Sequence, residues 1–137
     1  MRQRYFFIEP KYSDPDTFCH FIVGSDRVRA SIQMYAELWM LEEVANALTA
    51  PILVAESPAN DEFADDDNLF GFLLSVLPHN GENRWLRFRL FQDWLDDGAP
   101  YRADIRFDLA PKEAVTFAKE LREWCCKPEY AFIWKGD

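Results

Sequence analysis

The chain has 137 residues, with 24 acidic residues against 15 Lys and Arg, and a formal net charge of -9 at pH 7. Hydrophobic residues make up 49% and aromatic residues 16% of it, which excludes a disordered polymer and predicts one domain, residues 1–137, with a substantial core. No apolar run approaches the ~20 residues that span a bilayer or the ~7 residues of the shortest signal-peptide core. We therefore expect a cytoplasmic protein that makes no membrane contact.

The first third of the chain predicts a small antiparallel meander. Turn residues at Ser13–Asp16 and at Gly24–Asp26 separate three runs that are apolar or alternate with period two, as strands do. The predicted strands are Arg4–Glu9, Phe18–Val23 and Arg27–Met34.

A helix is predicted next, over Glu37–Leu48, because its apolar residues fall on one stripe at helical spacing. Pro51 ends it. The stretch Glu56–Asp67 then changes in composition and contains no Lys or Arg, so we expect an exposed acidic loop. A calcium loop is not predicted, because Leu69 and Phe70 occupy positions where such a loop needs an oxygen ligand and a glycine.

The remainder predicts a second group of strands and one more helix. Asn80-Gly81 is a strong hairpin signal, and Pro111 suits the first position of a helix that ends before Pro128. The predicted strands are Leu69–Leu77, Arg84–Phe91, Tyr101–Leu109 and Tyr130–Trp134. The fold class is therefore α+β, with an antiparallel sheet of about six to seven strands and two amphipathic helices packed on it.

Arginines alternate with apolar residues in three of these strands and should project from the open face of the sheet. If the three strands share a face direction, the arginines outnumber Asp104 and Asp108 by four. Pairing with these aspartates or with a covering helix, binding of an anionic ligand, and binding of nucleic acid all remain open. Net negative charge disfavours nucleic acid. The arginines are Arg27, Arg29, Arg87, Arg89, Arg102 and Arg106.

The sequence offers no recognisable catalytic centre. Its histidines are His20, which is adjacent to Cys19 in a strand and so points to the opposite face, and His79, which lies in a turn. The five glycines are isolated, so no phosphate-binding loop can be drawn. Three cysteines without zinc-site spacing indicate reduced thiols. We assign no metal and no cofactor.

These observations favour a non-catalytic interaction protein that uses acidic side chains to bind a basic protein partner. In architecture, size and acidity the chain resembles small bacterial immunity and inhibitor proteins, and that resemblance implies neutralisation of a partner by binding. Self-association remains an alternative. The predicted partner-binding residues are Glu56, Asp61, Glu62, Asp65, Asp66, Asp67, Asp93, Asp96, Asp97 and Trp94.

The second hypothesis is a small-molecule or anion-binding domain that uses the arginine side of the sheet, with an enzyme as an open alternative within it. It predicts a concave pocket with aromatic walls. The predicted ligand-binding residues are Arg87, Arg89, Arg102, Arg106 and Trp85.

Overall fold

A computed structural model describes residues 3–12, 16–58, 70–79, 81–92 and 101–136, without the side chains of Phe70, Gln92, Tyr101 and Arg102. These residues form strands and helices that closely follow the predicted ones. The strands are β1 (Arg4–Tyr12), β2 (Phe18–Ser25), β3 (Arg29–Tyr35), β4 (Phe70–Pro78), β5 (Arg84–Gln92), β6 (Tyr101–Leu109) and β7 (Phe132–Gly136). The helices are α1 (Leu38–Thr49) and α2 (Pro111–Cys126).

The α+β class and the antiparallel pairing are confirmed, with the strands divided between two sheets. Sheet A has the order β3-β2-β1-β7 and sheet B the order β4-β5-β6. The first three strands form the predicted meander, and the C-terminal strand β7 returns to pair with β1. Each strand of an antiparallel sheet needs one apolar face, and that pattern does not specify which other strands share its sheet.

The core lies between the two sheets and is closed by the helices. The ring of Phe6 in β1 stands at its centre, with centroids of Phe21, Phe72, Phe88 and Phe117 within 6.5 Å. Phe6 and these rings from β2, β4, β5 and α2 are nearly or fully buried. One continuous hydrophobic cluster therefore connects both sheets to the helix pair.

Local contacts explain where the observed elements depart from the predicted bounds. The strand predicted from Arg27 begins at Arg29, because the Ser25 amide donates to the Val28 carbonyl and closes a turn. The strand predicted from Tyr130 begins at Phe132, because the Trp124 indole donates to the Tyr130 carbonyl at 2.6 Å and holds that residue outside the sheet. Within the described part of the chain, neither helix is long and apolar enough to cross a membrane.

Candidate interaction surface

The outer face of sheet B carries a network of arginines and carboxylates. Strand register places Arg87 beside Ser75 of β4 and Arg106 of β6, with Arg89 beside Asp104. Alternation along β5 sends Leu86, Phe88 and Leu90 into the core and the arginines outward, as the sequence predicts. We call Arg87, Arg89 and Arg106 the arginine face.

Arg87 and Asp104 form the strongest pair on this face. The Arg87 Nε and Nη2 donate to the two Asp104 carboxylate oxygens at 3.1 and 2.7 Å. This two-pronged hydrogen bond lowers the pKa of Asp104 and raises the pKa of Arg87. Asp104 is therefore held ionised, which opposes a role as a general acid.

Glu56, which the sequence places in an exposed acidic loop, instead lies half-buried against the arginine face. Its carboxylate accepts a short hydrogen bond from the Ser75 hydroxyl and one from Arg89 Nη2 at 3.1 Å. Arg87 Nη1 is 3.7 Å from the same oxygen. The neighbouring Ser57 pairs with Val76 by two backbone hydrogen bonds, which fixes Glu56 at the edge of β4. Glu56 is thus an internal partner of the arginines.

Arg106 makes a cation–π contact with an aromatic ring. Its guanidinium lies 4.9 Å from the centre of the Trp85 ring, and His79 packs against the same ring at 4.4 Å. The His79 Nε2 is 3.6 Å from an Asp108 carboxylate oxygen. Trp85 therefore joins a small surface cluster that holds Arg106 close to the sheet.

The six predicted arginines do not all belong to one sheet, so the predicted excess of four arginines over two aspartates on a single face is absent among the described residues. Arg29 lies in sheet A and Arg27 in the turn before it, while the side chain of Arg102 is outside the described set. Three cavities among the described residues, of about 440, 430 and 310 Å³, are lined by other residues than Arg87, Arg89 and Arg106. On the arginine face, Arg87 and Arg89 pair with carboxylates and Arg106 lies over the Trp85 ring.

Two acidic stretches of the sequence adjoin the same end of sheet B. Phe70 is the register partner of Gln92, and Gln92 is the register partner of Tyr101. Residues 59–69 connect Pro58, which follows the Ser57–Val76 pairing, to Phe70 at this end, and residues 93–100 connect Gln92 to Tyr101 at the same end. We call it the Phe70 end.

These stretches contain most of the predicted partner-binding residues, which lie outside the described residues: Asp61, Glu62, Asp65, Asp66, Asp67, Asp93, Trp94, Asp96 and Asp97. Of the 24 acidic residues, ten lie outside the described ranges, as does one of the 15 basic residues, which leaves 14 of each sign within them. The formal charge of -9 therefore belongs to the remaining residues, and eight of their carboxylates belong to the two stretches that meet the Phe70 end.

Three aromatic side chains form a row on the outer face of sheet A. Tyr12, Phe18 and Tyr35 are register partners at the ends of β1, β2 and β3. Tyr12 stacks on Phe18 at 5.3 Å, Phe18 meets Tyr35 edge-on at 5.1 Å, and the two hydroxyls are 2.9 Å apart. That hydrogen bond raises the pKa of Tyr12. Both tyrosines are about half exposed, at 47% and 49%. We call these residues the aromatic row.

Packing between the sheets places the aromatic row at the Phe70 end. Phe21 of β2 lies 4.5 Å from Phe72 of β4, whereas Trp134 of β7 lies 5.7 Å from Phe107 of β6, towards the other end. The end of sheet A that carries the aromatic row therefore lies nearer the Phe70 end of sheet B than its opposite end. The direction from Phe21 to Phe18 along β2 is therefore the same as the direction from Phe72 to Phe70 along β4.

The aromatic row was not found by sequence reasoning. The first strand was predicted to end at Glu9 because Pro10 follows it, whereas β1 continues through an irregular pairing to Tyr12. A regular extension of the Glu9–His20 pairing would place Lys11 opposite Phe18, so only the register shift between Pro10 and Tyr12 brings Tyr12 into the row. Trp39, another aromatic residue outside the predicted stripes, is 55% exposed at the start of α1, where its indole donates to Glu37 at 2.9 Å.

The histidines and cysteines do not assemble into a nucleophilic site in the described chain segments. His20 Nδ1 is 3.8 Å from a Glu9 carboxylate oxygen, while the neighbouring Cys19 is buried in the core, where desolvation raises its thiol pKa to about 11. Burial likewise raises the pKa of Cys125 to about 12. Both thiols are protonated at neutral pH and so are poor nucleophiles. Nor does any group of three or more His, Cys, Asp or Glu in these segments have a metal-binding arrangement.

Comparisons of the chain with protein-family models, with curated proteins and with solved structures found no match. Function therefore has to be inferred from the geometry of these surfaces.

Proposed function

We propose that this protein is a non-catalytic interaction domain that binds a basic protein partner at the Phe70 end. The observation that carries the proposal is the strand register Phe70–Gln92–Tyr101, which tethers two separate acidic stretches to one end of sheet B. The two stretches contain eight carboxylates and no cation, and a partner that approaches this end would meet their negative potential. Such a potential speeds association with a basic surface and selects against acidic partners.

The aromatic row supplies contact area at the same end. Half-exposed tyrosines that are held by a hydrogen bond and a stacked ring lose little conformational entropy on binding. Tyrosine is enriched at the energetic centres of protein interfaces, and its ring face also accepts Lys or Arg side chains of a basic partner. Charge and aromatic surface at one end are the combination expected of a protein that neutralises a basic partner, in the manner of small bacterial immunity and inhibitor proteins.

The arginine face supports binding of a small anion less well. Its guanidinium groups already contact Glu56, Asp104 and the Trp85 ring. An anionic ligand would have to displace carboxylates that are held by two or more hydrogen bonds.

Affinity capture at low salt from a lysate of the source cells tests the proposal. Three variants are compared with the wild type: one with Asp61, Glu62, Asp65, Asp66 and Asp67 changed to Asn or Gln, one with Asp93, Asp96 and Asp97 changed to Asn, and a control with Glu120 and Glu123 of α2 changed to Gln. We expect one stoichiometric basic partner that the control retains and both loop variants lose or bind at least tenfold more weakly.

The purified pair then gives association rates. Because screening shortens the reach of charge, the rate should fall at least tenfold between about 20 and 300 mM salt. Changing Tyr12 and Tyr35 to Ala should raise the dissociation rate about tenfold or more. A partner that all variants bind equally, a salt-independent association rate, or the absence of any partner would contradict the proposal.

A further inference from the structure

The end of sheet A opposite the aromatic row contains a cavity of about 430 Å³, a volume in the range of small-molecule sites. It is lined by Gln3, Arg4, Tyr5, Phe7, Lys135 and Gly136, where β1 and β7 pair.

Gly24 of β2 leaves room for the Tyr5 ring beside this cavity. A methyl group at Gly24 would collide with the phenol ring and with the Val28 carbonyl, so the ring lies directly over the glycine. A methyl group at Gly136 would instead collide with the buried Trp134 ring on the core side of the strand, so Gly136 does not account for the cavity.

The lining combines two aromatic side chains with a positive charge. Tyr5 and Phe7 stack with their ring centres 5.1 Å apart, and the Lys135 ammonium is 5.9 Å from the centre of the Phe7 ring. Lys135 makes no ion pair with a carboxylate of the described residues. Arg4 is committed elsewhere, with Nη1 donating to the Asp108 carbonyl at 2.6 Å and Nη2 paired with Glu113 at 2.5 Å. The charge that Lys135 brings is therefore the one available to a ligand.

We propose that this cavity binds a small planar aromatic anion, whose ring packs against the Tyr5 and Phe7 side chains and whose anionic group pairs with Lys135. Contact between aromatic rings favours a planar aromatic ligand, and a charge-assisted hydrogen bond adds specificity for the anion. The site lies at the opposite end of the sandwich from the Phe70 end. It does not depend on the proposed protein partner.

Nuclear magnetic resonance titration of the ¹⁵N-labelled protein tests the site, with adenosine 5′-monophosphate as the probe. Adenosine supplies the ring without the charge, and inorganic phosphate supplies the charge without the ring. We expect saturable shifts concentrated at the amides of Gln3, Phe7 and Lys135 with the monophosphate. Adenosine and phosphate should each bind at least fivefold more weakly.

Variants separate the two parts of the site. Lys135→Gln should weaken binding of the monophosphate at least fivefold, and Phe7→Leu should do the same while keeping an apolar side chain in the strand. Lys11→Gln is the control. It changes an exposed lysine of β1, the strand that contains Phe7, and should leave the affinity for the monophosphate unchanged. Shifts spread over the whole surface, an equal response to phosphate alone, or wild-type affinity in Lys135→Gln would overturn the inference. Partner capture by Lys135→Gln should be unchanged, so the two proposals can fail separately.

Discussion

At the scale of single residues, charged side chains on the arginine face are paired with residues that are distant in sequence. Arg87 pairs with Asp104, which is 17 residues away, and Arg89 pairs with Glu56, which is 33 residues away. The Arg87–Asp104 pair is half exposed, since 46% of the Asp104 side chain is accessible. Solvent screening therefore limits its contribution to the free energy of unfolding to about 0.5–1 kcal/mol.

Asp104→Asn should lower the free energy of unfolding by that ~0.5–1 kcal/mol at pH 7. Because Arg87 lowers the folded-state pKa of Asp104, the stabilisation is complete above the unfolded-state pKa of about 3.9 and is lost as pH falls through the lowered value. Urea denaturation at pH 7, 5 and 3 checks this. The difference from wild type should be constant from pH 7 to 5 and smaller at pH 3. Asp16→Asn, at an exposed carboxylate outside this network, is the control, and a difference that grows on acidification would contradict the assignment.

Among the elements, α1 depends on side chains from outside the helix. It has no side-chain hydrogen bond at its N-cap and no basic residue in its last turn. Its C-terminal carbonyls are instead satisfied from other elements. Arg84 of β5 donates to the Ala47 and Ala50 carbonyls, and Arg122 of α2 donates to the Ala45 carbonyl at 3.2 Å and to the Thr49 hydroxyl at 2.9 Å. These cations also oppose the negative end of the helix dipole.

Arg84→Met should lower the free energy of unfolding by about 2 kcal/mol, because it removes two charge-assisted hydrogen bonds and leaves part-buried carbonyls without a donor. Methionine retains most of the apolar stem, so lost packing contributes little. Arg27→Met, at an exposed turn position, is the matched control and should change stability by less than about 0.5 kcal/mol. Urea denaturation curves give both values. Equal losses in the two variants would show that the cap is unimportant.

On the scale of the whole molecule, the net negative charge belongs to other parts of the chain than the strands and helices. The described residues contain equal numbers of acidic and basic side chains, whereas residues 59–69 and 93–100 carry five and three carboxylates and no cation. Because neither stretch contains a cation of its own, we expect a net repulsion among these carboxylates in the folded state. Net charge of this kind favours solubility and destabilises the folded state through self-repulsion.

Salt should therefore stabilise the isolated protein. Raising NaCl from about 10 to 300 mM shortens the screening length from roughly 30 Å to less than 10 Å, and we expect the Tm to rise by a few degrees. In a variant with all eight carboxylates of the two stretches neutralised, the rise should be clearly smaller and the Tm at low salt higher. Scanning calorimetry at both salt concentrations checks this. A cooperative unfolding transition in this variant would also show that it is folded, so that its loss of a partner is due to lost charge. A salt response equal to that of the wild type would contradict the repulsion.

Alternation and turn chemistry in the sequence determined the strands, the helices and the side of each strand that is buried. Period-two patterns send Leu86 and Phe88 inward and Arg87 outward whatever their neighbours are, because side-chain direction in a strand is a local property. The α2 start was predictable for the same reason, since Pro111 and Glu113 act within one helical turn.

Only the tertiary structure decided which elements meet. The division into two sheets, the pairing of β7 with β1, the attachment of Glu56 to Arg89, and the position of Tyr12 beside Tyr35 all join residues that are far apart in sequence. Such contacts depend on strand register and on how apolar faces pack, and many pairings are compatible with one local pattern. The excess of acidic residues could be counted from the sequence, but only the register of three strands shows that both acidic stretches connect to residues at the Phe70 end.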